Sequence, residues 1–371
     1  MHILVMNWQD RTHPLSGGAE IHLHEIFGRI AAAGHRVTLL CCGYSGAPAE
    51  DVIDGINIIR VGHRATFNYR VAWWWYRNGK KLNPDIVVDD INKIPFLTPL
   101  FVKRPILAII HHLFGKTIYT EAGLLAGVYV RSFERRITSA YRNTPLCVVS
   151  ESTRQECEVL GFKQENITII HNAIDHRRFP MAITKKADVP TVVFVGRLKK
   201  YKSVDHLLRA AAIVRKALPS LRVEILGTGD QYDALRALAS ELGISESVTF
   251  HGFVTEEQKT AWLSLAHVVV NSSVKEGWGI SNIEANACGT PVISANVPGL
   301  RDSVRDGMSG ILYPYGDVDT MARLMQRLLV DAHERERLSE GALKWASTFT
   351  WERSAREMLD LCSRVVERWN T

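Results

Sequence analysis

Two glutamates, Glu276 and Glu284, stand eight residues apart in "EGWGISNIEANACGTPVIS" (276–294), with Gly277 and Gly279 between them. A solvated helix face would account for the acids but not for the glycines. Glycines admit a ligand close to the backbone, and a helix beginning near Ile280 would aim free N–H groups at an anion. Glu284 would then lie one turn inside the helix, with Glu276 on the loop before it. Two carboxylates so spaced can each pair with the vicinal hydroxyls of a ribose or a sugar. Alternatively, Glu284 simply answers the helix dipole, which leaves the GWG turn unexplained.

Three further clusters could carry chemistry. In "VGRLKKYKS" (195–203), Arg197 and Lys202 stand five apart at a strand-to-helix turn, where a guanidinium fork and a point charge can meet one pyrophosphate. The same lysines could merely keep a loop soluble. "SGGAE" (16–20) puts Gly17 and Gly18 before a helix, either a phosphate cradle or a tight turn; it is neither GxGxxG nor a P-loop. "IIHHLFG" (109–115) brings His111 and His112 to a strand end, where an imidazole can meet a hydroxyl or serve structure alone.

The elements that must position these residues alternate along the chain. Strand-like runs at 2–7, 36–41, 56–61, 85–89, 105–110 and 146–149 are separated by amphipathic stretches such as 19–33. After a polar segment at 176–190, the expected linker, alternation resumes at 191–195, 222–226, 247–250, 267–271, 291–294 and 310–313. This predicts an α/β protein with two Rossmann-like doubly wound domains facing a cleft. The N-terminal domain spans 1–178 and the second 179–349, and 350–371 reads as one more amphipathic helix. Each cluster falls at a strand's carboxyl end, where open α/β sheets bind ligands.

The whole chain, 371 residues with 46% hydrophobic and 23% charged, reads as an ordinary globular protein. Six scattered cysteines without a CxxC pair suit a reducing compartment. The start has no signal-peptide pattern and no apolar run reaches membrane-span length, which leads us to expect a cytoplasmic protein. The net charge of +6 is unevenly placed. Residues 67–81, "FNYRVAWWWYRNGKK", carry four cations, six aromatics and no acid, and 101–142 hold seven Lys/Arg against two Glu. Either these are solvated faces over core aromatics, or the protein lies peripherally on an anionic inner membrane face. No nucleic-acid motif accompanies the charge, and no nucleic-acid partner is expected.

The combination of "GGAE", "GRL" with Lys202, and the E-x7-E of "EGWGISNIE" resembles glycosyltransferase family 4. The resemblance extends over essentially the whole chain, through "HNAID" (171–175) to "FTWERSA" (349–355). It implies the GT-B fold, in which the last helix, here 350–371, crosses back to the N-terminal domain, and a retaining transferase that moves a hexose from a UDP- or GDP-linked sugar to an acceptor hydroxyl. The acceptor would be a glycan or glycolipid, as in cell-surface polysaccharide synthesis. By that resemblance Arg197 and Lys202 hold the donor diphosphate, and Gly17 and Gly18 close on it. Ile280 and Ser281 meet the phosphates through N–H groups. Glu284 binds the ribose; Glu276, with the backbone of Gly277, Trp278 and Gly279, holds the hexose. Phe253 and Val254 lie against the base. The alignment favours His111 over His112 beside the sugar's C6 hydroxyl and reacting carbon.

No carboxylate is an obvious nucleophile, so the resemblance implies front-face attack with the departing phosphate taking the acceptor's proton. Asp317-Val-Asp319 reads as a helix N-cap, and no metal or cofactor is expected. Two other readings share the donor pocket: a non-catalytic nucleotide-sugar-binding module, and a GT-B nucleotide-sugar epimerase.

Overall fold

In the computed structural model, residues 1–92, 94–113, 128 and 137–371 are described. Two compact units are present: one of Met1–Asn172 with Trp351–Thr371, and one of Ala173–Thr350.

Unit 1 is built on an eight-stranded sheet of order β3-β4-β2-β1-β5-β6-β7-β8. Its strands are β1 His2–Met6, β2 Arg36–Gly43, β3 Glu50–Ile53, β4 Ile56–His63, β5 Ile86–Ile91, β6 Ile106–Ile110, β7 Leu146–Val148 and β8 Ile167–Ile169. All neighbours run parallel except β3, which pairs antiparallel with β4. β1 is buried along its whole length, as expected of a parallel strand covered on both faces. Helix α1 (Gly18–Ala32) follows β1 and contacts α6 (Trp351–Asn370). α6 buries Trp351, Met358, Leu361, Cys362 and Val365 along one side; its apolar positions recur at helical spacing while its other face is charged. Helix α2 (Phe67–Trp74) buries Phe67, Val71 and Trp74 in the core with Leu4 and Met6.

Unit 2 carries a fully parallel six-stranded sheet of order β11-β10-β9-β12-β13-β14. The strands are β9 Thr191–Val195, β10 Arg222–Leu226, β11 Val248–Gly252, β12 Val268–Asn271, β13 Val292–Ala295 and β14 Gly310–Tyr313. Three helices matter below: α3 (Val204–Ala217), α4 (Glu256–Leu265) and α5 (Ile280–Ala287).

Several expectations are refined. The division falls after residue 172 rather than 178, because Ile174 bridges to Thr350 and His176 bonds the Phe349 carbonyl at 2.8 Å. The segment 176–190 is stitched into unit 2 instead of linking freely. The Ala187 N–H donates to the Leu265 carbonyl (2.9 Å), and Lys186 Nζ donates to the Ser264 and Gly289 carbonyls and Thr290 Oγ1. β3 was not anticipated; it is an exposed edge strand without apolar alternation. All six cysteines are unbridged and buried. Asp317 is the N-cap expected of it: its carboxylate accepts from the Thr320 N–H at 2.9 Å.

Candidate active site

Strand order dictates which loops can meet. In unit 2 the order reverses at β9, flanked by β10 and β12. The loops leaving β9 and β12 therefore emerge side by side at the carboxyl edge, at the switch point where such sheets hold ligands. The first carries Arg197 and Lys202; the second carries Glu276 to Gly279.

These loops are zipped together. The Val274 N–H donates to the Tyr201 carbonyl (2.8 Å), and Ser272 Oγ donates to the Lys202 carbonyl (2.9 Å). Lys202 Nζ then reaches Glu276 Oε1 at 2.5 Å, both side chains largely shielded. Burial works against the Lys202 charge, but the Glu276 carboxylate outweighs it and raises the ammonium's pKa. Lys202 is therefore cationic at neutral pH, and its two remaining N–H groups can meet an anion. Arg197 is exposed, with Nη2 donating to the Tyr201 hydroxyl at 3.1 Å.

The GWG turn is now explained. Gly279 is the N-cap of α5 at φ 67°, where a side chain's Cβ would lie 2.7 Å from Ser303 Oγ. Gly299, at φ 81°, lies against the same turn: a Cβ there would fall 2.0 Å from the Glu276 carbonyl oxygen. Only glycine tolerates such positions. Ile280 and Ser281 open α5 and offer the unpaired N–H groups of a first helical turn. Behind them, buried Asn282 donates to Ser294 Oγ and Ser303 Oγ and accepts from Asn271, fixing α5 to β12 and β13. Trp278 is 2% exposed and packs edge-on against Phe349 at 4.8 Å, so its ring belongs to the core of unit 2.

Glu284 sits one turn into α5, as the spacing predicts. Its Oε1 accepts from Lys259 of α4 at 2.8 Å, a partner 25 residues away that sequence reasoning missed. Burial raises the Glu284 pKa, and Lys259 pulls in the opposite direction. A recess of about 410 Å³ opens at the ends of β10 and β11, lined by Thr228, Gly229, Tyr232, Phe250, His251 and Gly252. Phe253, directly after this lining and followed by Val254, is 84% exposed.

In unit 1 the order reverses at β1, beside β2 and β5, with β6 next. Gly17 and Gly18 are exposed at the start of α1. Glu20, buried, folds back so that Oε2 accepts from the Gly17 N–H at 2.7 Å. Burial raises the Glu20 pKa against that hydrogen bond. His111, at the end of β6, is buried, and its Nε2 lies 2.8 Å from Asp90 Oδ1 on β5. Burial disfavours its charged form, yet the Asp90 carboxylate prevails and raises the imidazole's pKa. Asp90, Glu20 and Lys259 went unnoticed in the sequence; the acidic end of "DIVVDD" was the available signal for the first. Among the described residues no group of three His, Cys, Asp or Glu could hold a metal ion.

Comparison with solved structures gives the class. The chain shares the GT-B glycosyltransferase fold with a sucrose-phosphate synthase of Thermosynechococcus elongatus, at TM-score 0.80 and 20% identity over 99% of each chain. It also resembles Anabaena HepE, solved in complex with UDP-glucose, at TM-score 0.75 and 18% identity over 98% of this chain and 100% of that one. Two family models then meet along the sequence: Glycosyltransferase Family 4 over 16–178 and Glycosyl transferases group 1 over 176–345. The chain belongs to the family 4 glycosyltransferases. An uncharacterized glycosyltransferase of Methanocaldococcus jannaschii is 26% identical over 99% of both chains.

Proposed function

We propose that this glycosyltransferase takes its hexose from a nucleotide diphosphate sugar, UDP- or GDP-linked, and passes it to an acceptor hydroxyl with retention of configuration and without a metal. The observation that carries the reading is the Lys202–Glu276 pair at the β9/β12 switch point beside the first turn of α5. It supplies a cation and a carboxylate side by side, for a diphosphate and for sugar hydroxyls. The UDP-glucose complex of the Anabaena protein lends support for the donor class.

On this reading Arg197, Lys202 and the N–H groups of Ile280 and Ser281 hold the diphosphate, with Gly17 and Gly18 its second contact. Glu284 takes the ribose, Glu276 and the Gly277–Gly279 backbone the hexose, Phe253 and Val254 the base, and His111 the sugar's C6 side. The bond from the anomeric carbon to the phosphate oxygen breaks as the acceptor oxygen bonds the same face. The acceptor's proton passes to the departing phosphate. Arg197 and Lys202 stabilise the negative charge growing there, the preorganised electrostatics that a metal supplies elsewhere.

The acceptor is proposed to be a glycan or glycolipid at an anionic membrane, where the protein sits peripherally on the cytoplasmic side. Tyr69, Trp73 and Tyr76 are exposed on α2 and the turn after it, opposite the buried Phe67, Val71 and Trp74. Arg77 stacks over the Trp73 ring at 4.0 Å. Aromatics with interleaved cations suit a lipid interface. Of the second basic stretch, 101–142, residues 114–127 and 129–136 lie outside the described residues. Among the described residues no helix is long and apolar enough to cross a membrane. Co-sedimentation with anionic vesicles should therefore be lost at high salt; salt-independent pelleting would refute the surface.

The deciding experiment is a thermal-shift screen against UDP, GDP, ADP and their sugars, followed by assay of free nucleotide with candidate acceptors. A ligand at 100 times its dissociation constant stabilises by about 2.7 kcal/mol. Binding with nucleotide release and an α-linked product from an α-linked donor, unaffected by chelator, supports the reading. Binding without release under any acceptor would make the protein a sensor.

A further inference from the structure

Asp89 and Asp90 are consecutive on β5, so their side chains leave opposite faces of the sheet. Asp89 accepts from Thr98 Oγ1 (2.7 Å) and the Tyr141 hydroxyl. Asp90 turns the other way, to His111. Neither carboxylate is exposed at all. An acid enclosed without solvent needs a partner, and among the described residues the hydrogen-bond partner of Asp90 is one ring nitrogen of one histidine. A second ring fixes the geometry: His22 of α1 stands at 90° to His111 with centroids 4.8 Å apart, and Trp351 of α6 backs His22. His22 is fully enclosed, and neither of its nitrogens has a hydrogen-bond partner among the described residues. Burial and the neighbouring His111 hold its pKa well down, so it is a neutral wall.

We propose that Asp90 is a positioning residue: by accepting from Nε2–H of His111 it fixes the ring's orientation, turns Nδ1 to the donor sugar, and, with the ring protonated, lets Nδ1–H donate a hydrogen bond without net positive charge beside the reacting carbon. The inference rests on the reading of His111 as the sugar-facing residue. Its chemistry follows from the pair. With Nε2 committed to a carboxylate, a protonated ring has one free donor, Nδ1–H, and imidazolium with aspartate sums to zero. An unpaired imidazolium would repel the cationic character that develops on the sugar as its bond to phosphate breaks. Without Asp90, burial would drive the ring to its neutral form.

The groups that face this pair set its titration. From α1 they are Glu20, which favours protonation of His111, and His22, which opposes charge; from β7 it is the buried Cys147 thiol near Asp90. A histidine pKa raised in the folded enzyme carries the donor form to higher pH than in a free imidazole and loses it as pH rises through the raised value. Removing the Asp90 charge should bring that loss to lower pH.

The test compares pH profiles of kcat for wild type, Asp90→Asn and Asp89→Asn, with His111 titrated in parallel by NMR. Asp90→Asn retains shape, and should move the alkaline limb and the His111 titration down together by about one to three pH units. Each unit is a tenfold loss of rate at a fixed pH above the limb. Thermal shifts induced by free nucleotide should be unchanged, since neither Asp90 nor His111 is among the residues proposed to hold the nucleotide. Asp89→Asn, on the other face, should alter thermal stability and leave the limb in place. If wild type transfers sugar while Asp90→Asn keeps the wild-type limb and His111 titration, the positioning role is overturned and the function stands. Absence of sugar transfer by wild type from every nucleotide sugar overturns both.

Discussion

The two switch points of this molecule solve different electrostatic problems on related frameworks. At the β9/β12 edge of unit 2, buried charges arrive in opposite pairs: Lys202 with Glu276, and Lys259 with Glu284. At the β1/β5/β6 edge of unit 1, carboxylates and imidazoles gather instead, Glu20 and Asp90 with His22 and His111, and among the described residues no Lys or Arg hydrogen-bonds them. Because Lys202 can offer its remaining N–H groups to an anion while still bonded to Glu276, a ligand can be met without stranding a charge in a poorly solvated place. An acid–imidazole cluster instead changes its hydrogen-bonding character with protons. Unit 2 is thus suited to grip, and unit 1 to tune.

Substitutions can break that contrast. On the proposed donor reading, the largest effect is expected from Lys202→Met, which would remove one of the two cations assigned to the leaving group. The rate should fall by about 10²–10³-fold, read as nucleotide release under saturating donor. Combined with Glu276→Gln the loss should be smaller than the product of the single losses, because the residues are one unit; additive losses would divorce the pair.

Next in size is a pH effect confined to unit 1. Burial raises the Asp89 carboxyl to about 6, against the Tyr141 and Thr98 hydrogen bonds. A raised acid is favoured protonated in the fold, so its contribution is fully present below the unfolded value of 3.8 and is lost as pH rises through about 6. Wild-type stability should therefore decline across that window by about 2–3 kcal/mol relative to Asp89→Asn. Denaturant midpoints at pH 4 and pH 7 check this; parallel curves would show that Asp89 titrates normally.

The smallest effect sharpens the division inside unit 2. Glu284→Ala should weaken donor affinity about tenfold with kcat little changed, since one hydrogen bond to a charged group is lost. Glu276→Ala should do the reverse, costing turnover more than affinity. The opposite ordering, measured from kcat and KM of each variant, would exchange the ribose and hexose assignments.

How much of this was legible depended on separation along the chain. Glu276, the glycines, Ile280 and Glu284 lie within one loop and helix start, so their spacing alone placed them. Arg197 and Lys202 were legible for the same reason. The Asp90–His111 and Lys259–Glu284 pairs span 21 and 25 residues and exist only because of strand order and helix packing. Trp278 shows another limit. In the sequence it belongs to a ligand loop, while in space its ring joins Phe349 in the core and its backbone alone remains at the turn. β3 escaped notice because an edge strand with solvent on both sides has no apolar rhythm to read. The segment 176–190 looked like a tether because its attachments are backbone bonds and the scattered side chains of His176, Thr184 and Lys186, which leave no periodic pattern in residue types.

The helix Trp351–Asn370 closes unit 1 although all of unit 2 precedes it in the chain. On a ribosome, the β-strands of the first unit emerge early but face a missing wall until the last helix is made. At roughly 5–20 residues per second, the intervening stretch from 173 to 350 imposes a wait of order ten to forty seconds. Meanwhile the second unit, contiguous in sequence, has everything it needs to mature. The half translated first is therefore the half finished last, and a premature stop near residue 350 would leave its defect at the opposite end of the gene product.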